Sequence, residues 1–389
     1  MKTLFTIFLL VLSLLGCYDM SGQQTSVNTV RIVSWGGISA DKADTLYSLA
    51  KECGFDTHLG LYSTQEKALM SMDAAGRARV GVIINFPQLR DSTESAVSLI
   101  KDHPALVAYH IKDEPVADDY PWMAEVCNKI GSLDLLHPCY VNLLPNWSWG
   151  VEEYASHLES FAAEFDLPFY SFDNYPVVED EGVVKVRPDW YRNLEEFSAM
   201  ARRHGKPFWA FALAKSHSIV EPEVAHYPEP TLAHLRLQVF SNLLYGAQAI
   251  QYFNFTGIVD PSTCEKKPAF DLIKQVNSEV RAYSSVFAGC SISGVWHIGE
   301  IIPSGTKHLD SMPHEIVKSI LVSGEGAVVS LIENAGETYL AVQNRSCMEA
   351  AVLDISFDGL VSLVTSDSPV RYNCQPIVLE PGDVAIFQL

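Results

Sequence analysis

From residue 30 to about residue 288, short apolar runs alternate with longer amphipathic stretches. In helical stretches such as "DKADTLYSLAKECG", apolar residues recur at three- and four-residue spacing and Gly often follows the last turn. The short runs have the length of strands. They are "VRIVSW" (30–35), "FDTHLGL" (55–61), "RVGVIINF" (79–86), "ALVAYHI" (105–111), "CYVNLL" (139–144), "LPFYSFD" (167–173), "PFWAFALA" (207–214) and "AIQYFNF" (249–255).

Continuous apolar strands joined through helices predict a parallel sheet that is covered on both faces. Eight such units in about 250 residues predict a (β/α)8 TIM barrel. A doubly wound α/β sheet is the alternative architecture. It is weakened because no glycine-rich nucleotide-binding fingerprint follows the first strand.

After residue 288 the hydrophobic pattern changes. Runs in which apolar and polar residues alternate, such as "AVVSLIE", "TYLAVQN" and "AAVLDISF", are now separated by turn residues. No helical period survives in this part, which predicts a small C-terminal antiparallel β-sandwich. We therefore expect a barrel domain over residues 30–288, which carries the catalytic site, and a sandwich domain over residues 289–389.

The first residues, "MKTLFTIFLLVLSLLGC", have the charged start and short apolar run of a secretory signal. The stretch "LLGC" resembles the lipobox of bacterial lipoproteins, which implies that Cys17 is lipidated after cleavage. An ordinary signal peptide with an incidental Cys is the alternative. We expect a signal peptide over 1–17, a polar flexible tether over 18–29, and an exported protein that is lipid-anchored to the bacterial cell envelope.

Composition excludes several partners. The chain carries 27 Lys and Arg against 47 Asp and Glu, a formal net charge of −20. Because such a chain repels nucleic acid and anionic lipid, we expect neither as a partner, and membrane contact only through the anchor. The cysteines after Cys17 lack CxxC spacing, so no metal site is predicted and no cofactor is expected. One or two disulfides are possible, but spacing does not define their pairing.

In a TIM barrel, functional groups gather at the C-terminal ends of the strands. A helix cap or a loop contact explains any single polar residue at these positions equally well. A purely structural barrel nevertheless has no need for so many hydrogen-bonding groups at one mouth, so the set predicts a functional site. Its members are Trp35, His58, Asn85, Asp113, Glu114, Asn142, Asp173, Asn174, Tyr175, Lys215, His217, Tyr252 and Asn254.

The export signal, the barrel, the fourth strand ending in "KDEP" and the trailing sandwich together resemble glycoside hydrolases of clan A. The resemblance implies hydrolysis of O-glycosidic bonds in a glycan or oligosaccharide, with Glu114 as the catalytic acid/base. It places Asp113 where the clan has an Asn that contacts the sugar. The clan's nucleophile, a Glu at the end of the seventh strand, has no counterpart in "FWAFALAKSHS".

Glycoside cleavage normally needs a second group besides the acid. The best second carboxylate is Asp173 in "FYSFDNYP", two strands around the barrel from Glu114. A separation of about 5–5.5 Å would predict retention and about 6.5–9.5 Å inversion. Alternatively, Asp113 and Glu114 act together, as adjacent acids do in substrate-assisted hexosaminidases. The local alternatives are that "DEP" starts a helix capped by Asp113, and that Asp173 caps a turn before Pro176.

Sugar binding needs flat apolar faces and planar polar groups. The residues predicted to bind the substrate are Asp113, Trp35, Asn85, Asn142, Tyr175, Lys215, His217, Tyr252 and Asn254. Trp147 and Trp149, in the loop after the fifth strand, are candidates for a subsite wall, whereas Trp209 is expected in the core. Glu221, Glu223 and Glu229 follow the seventh strand and are candidates to fold over the mouth.

Two main functions therefore stay open. The first is an exported glycoside hydrolase, and the second is a catalytically inactive carbohydrate-binding barrel lipoprotein. The seventh strand without a carboxylate favours the second. A lyase or esterase acting on polysaccharide is a third, and no Gly-x-Ser-x-Gly motif supports the esterase.

Overall fold

The computed structural model describes residues 29–219 and 225–389. The expected signal peptide, Cys17, most of the tether, Glu221 and Glu223 lie outside these residues. The strands are β1 (Arg31–Trp35), β2 (Thr57–Leu61), β3 (Gly81–Asn85), β4 (Leu106–Asp113), β5 (Cys139–Leu143), β6 (Tyr170–Phe172), β7 (Val177–Asp180), β8 (Val183–Val186), β9 (Phe208–Leu213), β10 (His217–Ile219), β11 (Ala225–Tyr227), β12 (Ala249–Phe253), β13 (Ser291–Ile298), β14 (Val317–Val322), β15 (Ala327–Asn334), β16 (Glu337–Asn344), β17 (Ala351–Phe357), β18 (Ser362–Val364), β19 (Val370–Arg371), β20 (Ile377–Leu379) and β21 (Val384–Gln388).

Helices connect the strands of the first part of the chain. They are α1 (Ala43–Glu52), α2 (Gln65–Ala78), α3 (Gln88–Asp91), α4 (Thr93–Ile100), α5 (Tyr120–Leu133), α6 (Asn146–Trp149), α7 (Tyr154–Glu164), α8 (Trp190–Arg203), α9 (Leu232–Leu244), α10 (Ala269–Ala282) and α11 (Ser284–Phe287). Short 3-10 helices cover Ala40–Lys42, Ala117–Asp119 and Phe255–Gly257.

The strands β1, β2, β3, β4, β5, β6, β9 and β12 form a closed parallel barrel, which confirms the predicted fold class. Their apolar runs are continuous because both faces of each strand are buried. In β1, for example, Val33 packs inside the barrel, whereas Ile32 packs outward against the helices. The C-terminal ends of all eight strands therefore open on one mouth.

A separate four-stranded sheet, which the sequence analysis did not predict, stands over part of the mouth. It has the order β10-β11-β7-β8, so the loops after the sixth and seventh barrel strands build it together. Val178 and Tyr227 are buried in the aromatic cluster inside the barrel, and Ile219 packs against it. This sheet thus extends the barrel interior upward on one side.

The C-terminal part is an antiparallel β-sandwich, as predicted. Its two sheets have the orders β13-β15-β16-β21-β18-β19 and β14-β17-β20. One face of the larger sheet packs on the barrel helices through residues such as Val328 and Ile332. The other face, with Val329 and Leu331, contributes to the core between the two sheets. Because both faces of β15 are covered, its sequence is a nearly continuous apolar run.

Two further findings concern the described residues only. Within residues 29–219 and 225–389, no helix combines the length and the apolar character needed to cross a bilayer. The seven cysteines in these ranges are free.

Candidate active site

Three carboxylates meet at the barrel mouth around one amide. Asp113 is the last residue of β4 and pairs in register with Asn142 of β5. The Asn142 side chain donates one N–H to Asp113 Oδ1 (3.2 Å) and one to Asp173 Oδ1 (2.7 Å). Glu114 lies close enough to Asp173 for each carboxyl group to affect the pKa of the other. The structure therefore brings together the two predicted catalytic carboxylates and two of the predicted binding residues.

The backbone explains how adjacent acids reach the same cluster, although neighbours on a strand normally point in opposite directions. A register shift interrupts the pairing of β4 with β5 between His110 and Lys112. Glu114 then adopts a left-handed conformation with φ +50°, and its N–H donates to the carbonyl of Asn142 at 2.9 Å. A non-glycine residue at positive φ costs about 1–3 kcal/mol and persists only where its surroundings impose it.

The alternative that Asp113 caps a helix is not what the structure shows. The next helical turn begins at Ala117, and its free backbone donor, the N–H of Val116, is bound by Asp119 Oδ2 at 3.1 Å. Asp113 ends its strand with its carboxylate turned to Asn142.

Burial and neighbouring charge shift the acidity of the cluster. Burial, with the charge of Asp113 adding to it, raises the pKa of Glu114 to about 7. The pKa of Asp173 is raised well above its ordinary value by burial and by the charges of Glu114 and Asp113. Solvent reaches Asp113 and Glu114 from the mouth, while protein atoms enclose their other sides. Because nearby carboxylates cannot all ionise at low cost, this cluster retains protons to a higher pH than isolated carboxyl groups do.

A buried polar chain lies behind the carboxylates, inside the barrel. Ser171 of β6 donates its hydroxyl proton to Asn142 Oδ1 at 2.9 Å. Gln251 of β12 donates to Ser171 Oγ at 2.8 Å, and the Tyr140 hydroxyl donates to Gln251 Oε1 at 2.8 Å. These four side chains are at most 2% exposed. The sequence analysis missed Ser171, Gln251 and Tyr140. Each is a single polar group within an otherwise apolar strand, and this pattern could have identified them.

Aromatic rings form one wall of the mouth. The ring of Tyr175 lies 6.2 Å from His217 and 5.9 Å from Tyr227 and from Phe253, measured between centroids. The His217 and Tyr227 rings stack at 4.7 Å. Burial and the charge of Asp173 raise the pKa of Tyr175 well above its usual value, which fits its place beside the acids. Tyr227 is a further residue that the sequence analysis missed.

Two basic residues of the predicted set follow the seventh barrel strand on this wall. Lys215 is half-buried, and its charge helps to lower the pKa of His217, for which burial is the larger cause. Neither residue supplies a carboxylate at the position where the clan's nucleophile would stand. Trp147 lies under the Arg187 guanidinium at 5.0 Å, whereas Trp149 stacks on His157 of α7.

Some strand-end residues do not face the mouth. Tyr252 is fully buried on the outer face of β12, where its ring contacts Phe55 at 5.6 Å, and this corrects the expectation that it lines the mouth. His58 also points outward, with Nδ1 bonded to Ser34 Oγ at 2.8 Å. The cause is the two-residue period of a strand, which turns every second side chain toward the helices.

Other predicted residues have local partners. Trp35 is 5% exposed within the aromatic core of the barrel. Asn85 donates to the carbonyl of His110 at 2.7 Å, and Asn254 caps the following turn by accepting from the Thr256 N–H at 3.1 Å. These contacts give each of the three a packing or loop role.

Asn174 of the predicted set turns away from the carboxylates. It is buried and donates instead to Asn193 of α8 at 2.9 Å. Trp209 is in the core as expected, stacked on Phe169 with ring centroids 4.0 Å apart.

No cluster of His, Cys, Asp or Glu with the arrangement of a metal site occurs in the part of the chain that the structure describes. A surface depression of about 1120 Å³ lies between α4 and α5, but none of the mouth residues lines it. The carboxylate cluster is therefore the better candidate, because the acidic side chains with raised pKa values lie there and not in this depression.

No protein-family model matches the sequence, and no curated protein matches it. Solved structures that resemble this chain include one described as a glycoside hydrolase, with 10% identity over 92% of each chain and a TM-score of 0.59. Another is a glycoside hydrolase family 5 protein from Bacteroides vulgatus ATCC 8482, with 10% identity, 92% of this chain and 89% of that chain covered, and a TM-score of 0.56. At this identity the likenesses show a shared fold over nearly the whole chain.

Proposed function

We propose that this chain is an exported, lipid-anchored glycoside hydrolase that cleaves O-glycosidic bonds of a glycan or oligosaccharide. One observation carries the proposal: at the mouth of the barrel the Asn142 amide binds both Asp113 and Asp173, and Glu114 lies beside these two acids. Glycoside cleavage uses an acid that holds its proton near neutral pH beside a carboxylate, and this cluster supplies both. The fold shared with two proteins described as glycoside hydrolases adds support.

Glu114 acts as the proton donor in this proposal. Its pKa of about 7 leaves a substantial fraction of it protonated at neutral pH, and it stands at the solvent-facing end of the cluster, where a leaving oxygen would arrive. On the aromatic wall, Phe253 and His217 are partly exposed and offer ring faces on which a sugar ring stacks, while the buried rings of Tyr175 and Tyr227 support them. The proton moves from Glu114 to the departing oxygen as the glycosidic bond breaks.

Two routes serve the other side of the sugar. In the first, Asp173 acts as nucleophile or base, and the substrate enters between it and Glu114 and separates their contact. In the second, Asp113 positions an acetamido group of the substrate, which itself attacks the anomeric carbon. An aryl N-acetylhexosaminide and the matching aryl hexoside distinguish the routes. Only the N-acetylhexosaminide carries the internal nucleophile, so cleavage of the plain hexoside requires the route through Asp173.

The test is a screen of purified protein against 4-nitrophenyl glycosides and isolated glycans, with Glu114→Gln as the matched variant. General acid catalysis contributes about 10²–10⁴-fold, so the variant should lose activity by that order on substrates with poor leaving groups while binding persists. A Glu114→Gln protein that keeps most of its turnover on such substrates would rule out the donor role.

A second function, a carbohydrate-binding barrel without turnover, is favoured by one observation. The seventh barrel strand is followed by Lys215 and His217, with no carboxylate in the described residues before Ile219. Saturable glycan binding by calorimetry, with no reducing ends released from the same glycan, would select this function over hydrolysis.

A further inference from the structure

While the carboxylate oxygens that face Asn142 are unprotonated, the hydrogen bonds behind them have one consistent direction. Asn142 faces two carboxylate oxygens, which accept and do not donate when ionised, so its amide turns both N–H groups toward them. Its carbonyl oxygen then faces Ser171, and the single hydroxyl proton of Ser171 must be donated there.

The same reasoning continues along the chain. Having given its proton to Asn142, Ser171 accepts from the Gln251 amide, which leaves Gln251 Oε1 to accept from Tyr140. The Tyr140 hydroxyl also lies 3.0 Å from Ser171 Oγ. Ser171 is fully buried, so no water can replace its proton at Asn142 without a rearrangement of the barrel interior.

We propose that Ser171 is a positioning residue of this site. It holds the Asn142 amide with both N–H groups toward Asp113 and Asp173, so that the oxygens facing the amide stay unprotonated. The one mobile proton is thereby confined to the contact of Asp173 with Glu114, where the reaction needs it. The catalytic role of this arrangement rests on the proposed function. The position of the proton in the carboxylate cluster does not, because it can be measured without any substrate.

Electrostatics support the direction of the effect. The hydrogen bond from Asn142 lowers the pKa of both Asp113 and Asp173, against the larger rise caused by burial. Loss of the orienting proton lets the amide turn over, which replaces donors with a carbonyl oxygen and raises both pKa values. The other titratable groups that face the cluster are Lys112 on β4, Tyr140 on β5, Tyr154 on α7, Tyr175 after β6 and Tyr227 on β11.

The test compares Ser171→Ala with Ser34→Ala. Ser34 is also a fully buried serine on a barrel strand, but its hydroxyl bonds His58 on the outer face of the barrel and has no bond to the carboxylate cluster or to the polar chain behind it. Each variant loses one buried hydroxyl, so the loss of folding stability should be similar in the two proteins. We expect Ser171→Ala to move the acidic limb of the pH–rate profile upward by about one pH unit, while Ser34→Ala keeps the wild-type profile.

A second readout does not depend on turnover. The infrared band of protonated carboxyl groups is followed from pH 5 to pH 9, and the part lost in Glu114→Gln identifies the shared proton. Its titration midpoint should rise in Ser171→Ala and stay unchanged in Ser34→Ala. If the wild-type protein cleaves no glycoside, the proposed function fails, but this titration still decides the role of Ser171.

Gln251→Met keeps the test decisive if Ser171→Ala does not fold. It removes the donor to Ser171 and leaves the serine in place, so the same shift should appear at smaller size. Equal infrared midpoints in wild type, Ser171→Ala and Gln251→Met would overturn the inference, as would a shift of the same size in Ser34→Ala.

Discussion

Replacing Glu114 by Gln should make the folded protein more stable at alkaline pH, a prediction that needs no substrate. The carboxyl of Glu114 has its pKa raised from 4.5 to about 7 because it is enclosed beside Asp113. Between these two values the folded protein holds a proton that the unfolded chain releases. The contribution of this group to stability is therefore present below about pH 4.5 and lost as pH rises through 7.

The magnitude follows from the size of the shift. At about 1.4 kcal/mol per pKa unit, the rise would correspond to about 3 kcal/mol if water were excluded from Glu114. Because solvent reaches this residue, screening reduces the expected gain of Glu114→Gln to about 1 kcal/mol at pH 8. At pH 4.5 both proteins carry a neutral side chain, and their stabilities should agree. For a chain of this length, 1 kcal/mol corresponds to about 1–2 °C in Tm.

The assay is thermal unfolding of wild type and Glu114→Gln at pH 4.5, 6, 7 and 8, with Glu125→Gln as control. Glu125 is an exposed residue of α5 and lies outside the carboxylate cluster, so its replacement should produce no pH-dependent difference. A Glu114→Gln protein that is less stable than wild type at pH 8, or whose advantage is equal at every pH, would refute the electrostatic reasoning.

The remaining predictions concern one residue each. Asp173→Asn should reduce turnover about 10²–10⁴-fold if Asp173 is the second catalytic group. Azide should then restore part of the lost turnover on an activated aryl glycoside. Unchanged turnover would instead favour the route in which Asp113 assists the substrate's own nucleophile. Tyr252→Phe should leave kcat and KM unchanged, because Tyr252 packs outside the barrel, and a changed KM would contradict that placement. Burial lowers the pKa of His58 to about 3, so acidification below about pH 6.5 protonates the unfolded chain first and destabilises the fold by about 1.4 kcal/mol per pH unit. In urea unfolding at pH 5 and 7, His58→Phe should be less sensitive to acid than wild type, and equal sensitivity would refute this.

The barrel could be predicted from the sequence because parallel strands that are buried on both faces are continuous apolar runs. The same property hid which residues face the mouth. In "AIQYFNF" the inner face carries one polar residue, Gln251, between apolar neighbours, so the alternation that turns Phe253 inward and Tyr252 outward leaves little trace in the pattern. The outward orientation of His58 was hidden in the same way.

The mouth was harder to predict than the barrel. The strands β7, β8, β10 and β11 are short and are held by tertiary packing, which gives a weak local signal. The adjacency of Asp113 and Glu114 was readable, but their convergence depends on a register shift and a positive φ that the residue types do not specify. The contact between Glu114 and Asp173 is a consequence of that backbone path.

The helix α9 has a consequence for how this protein evolves. Ten of its residues are buried, and it lies between the barrel and the larger sheet of the sandwich. Gln343 of the sheet donates to carbonyls of α9 at Arg236 and Leu237, and Ser330 donates to the carbonyl of Leu244. A carbohydrate-binding module on a linker can be exchanged by recombination without harm to its neighbour. This sandwich differs, since its removal would expose an apolar helix of the barrel, and we therefore expect the barrel to be unstable without it.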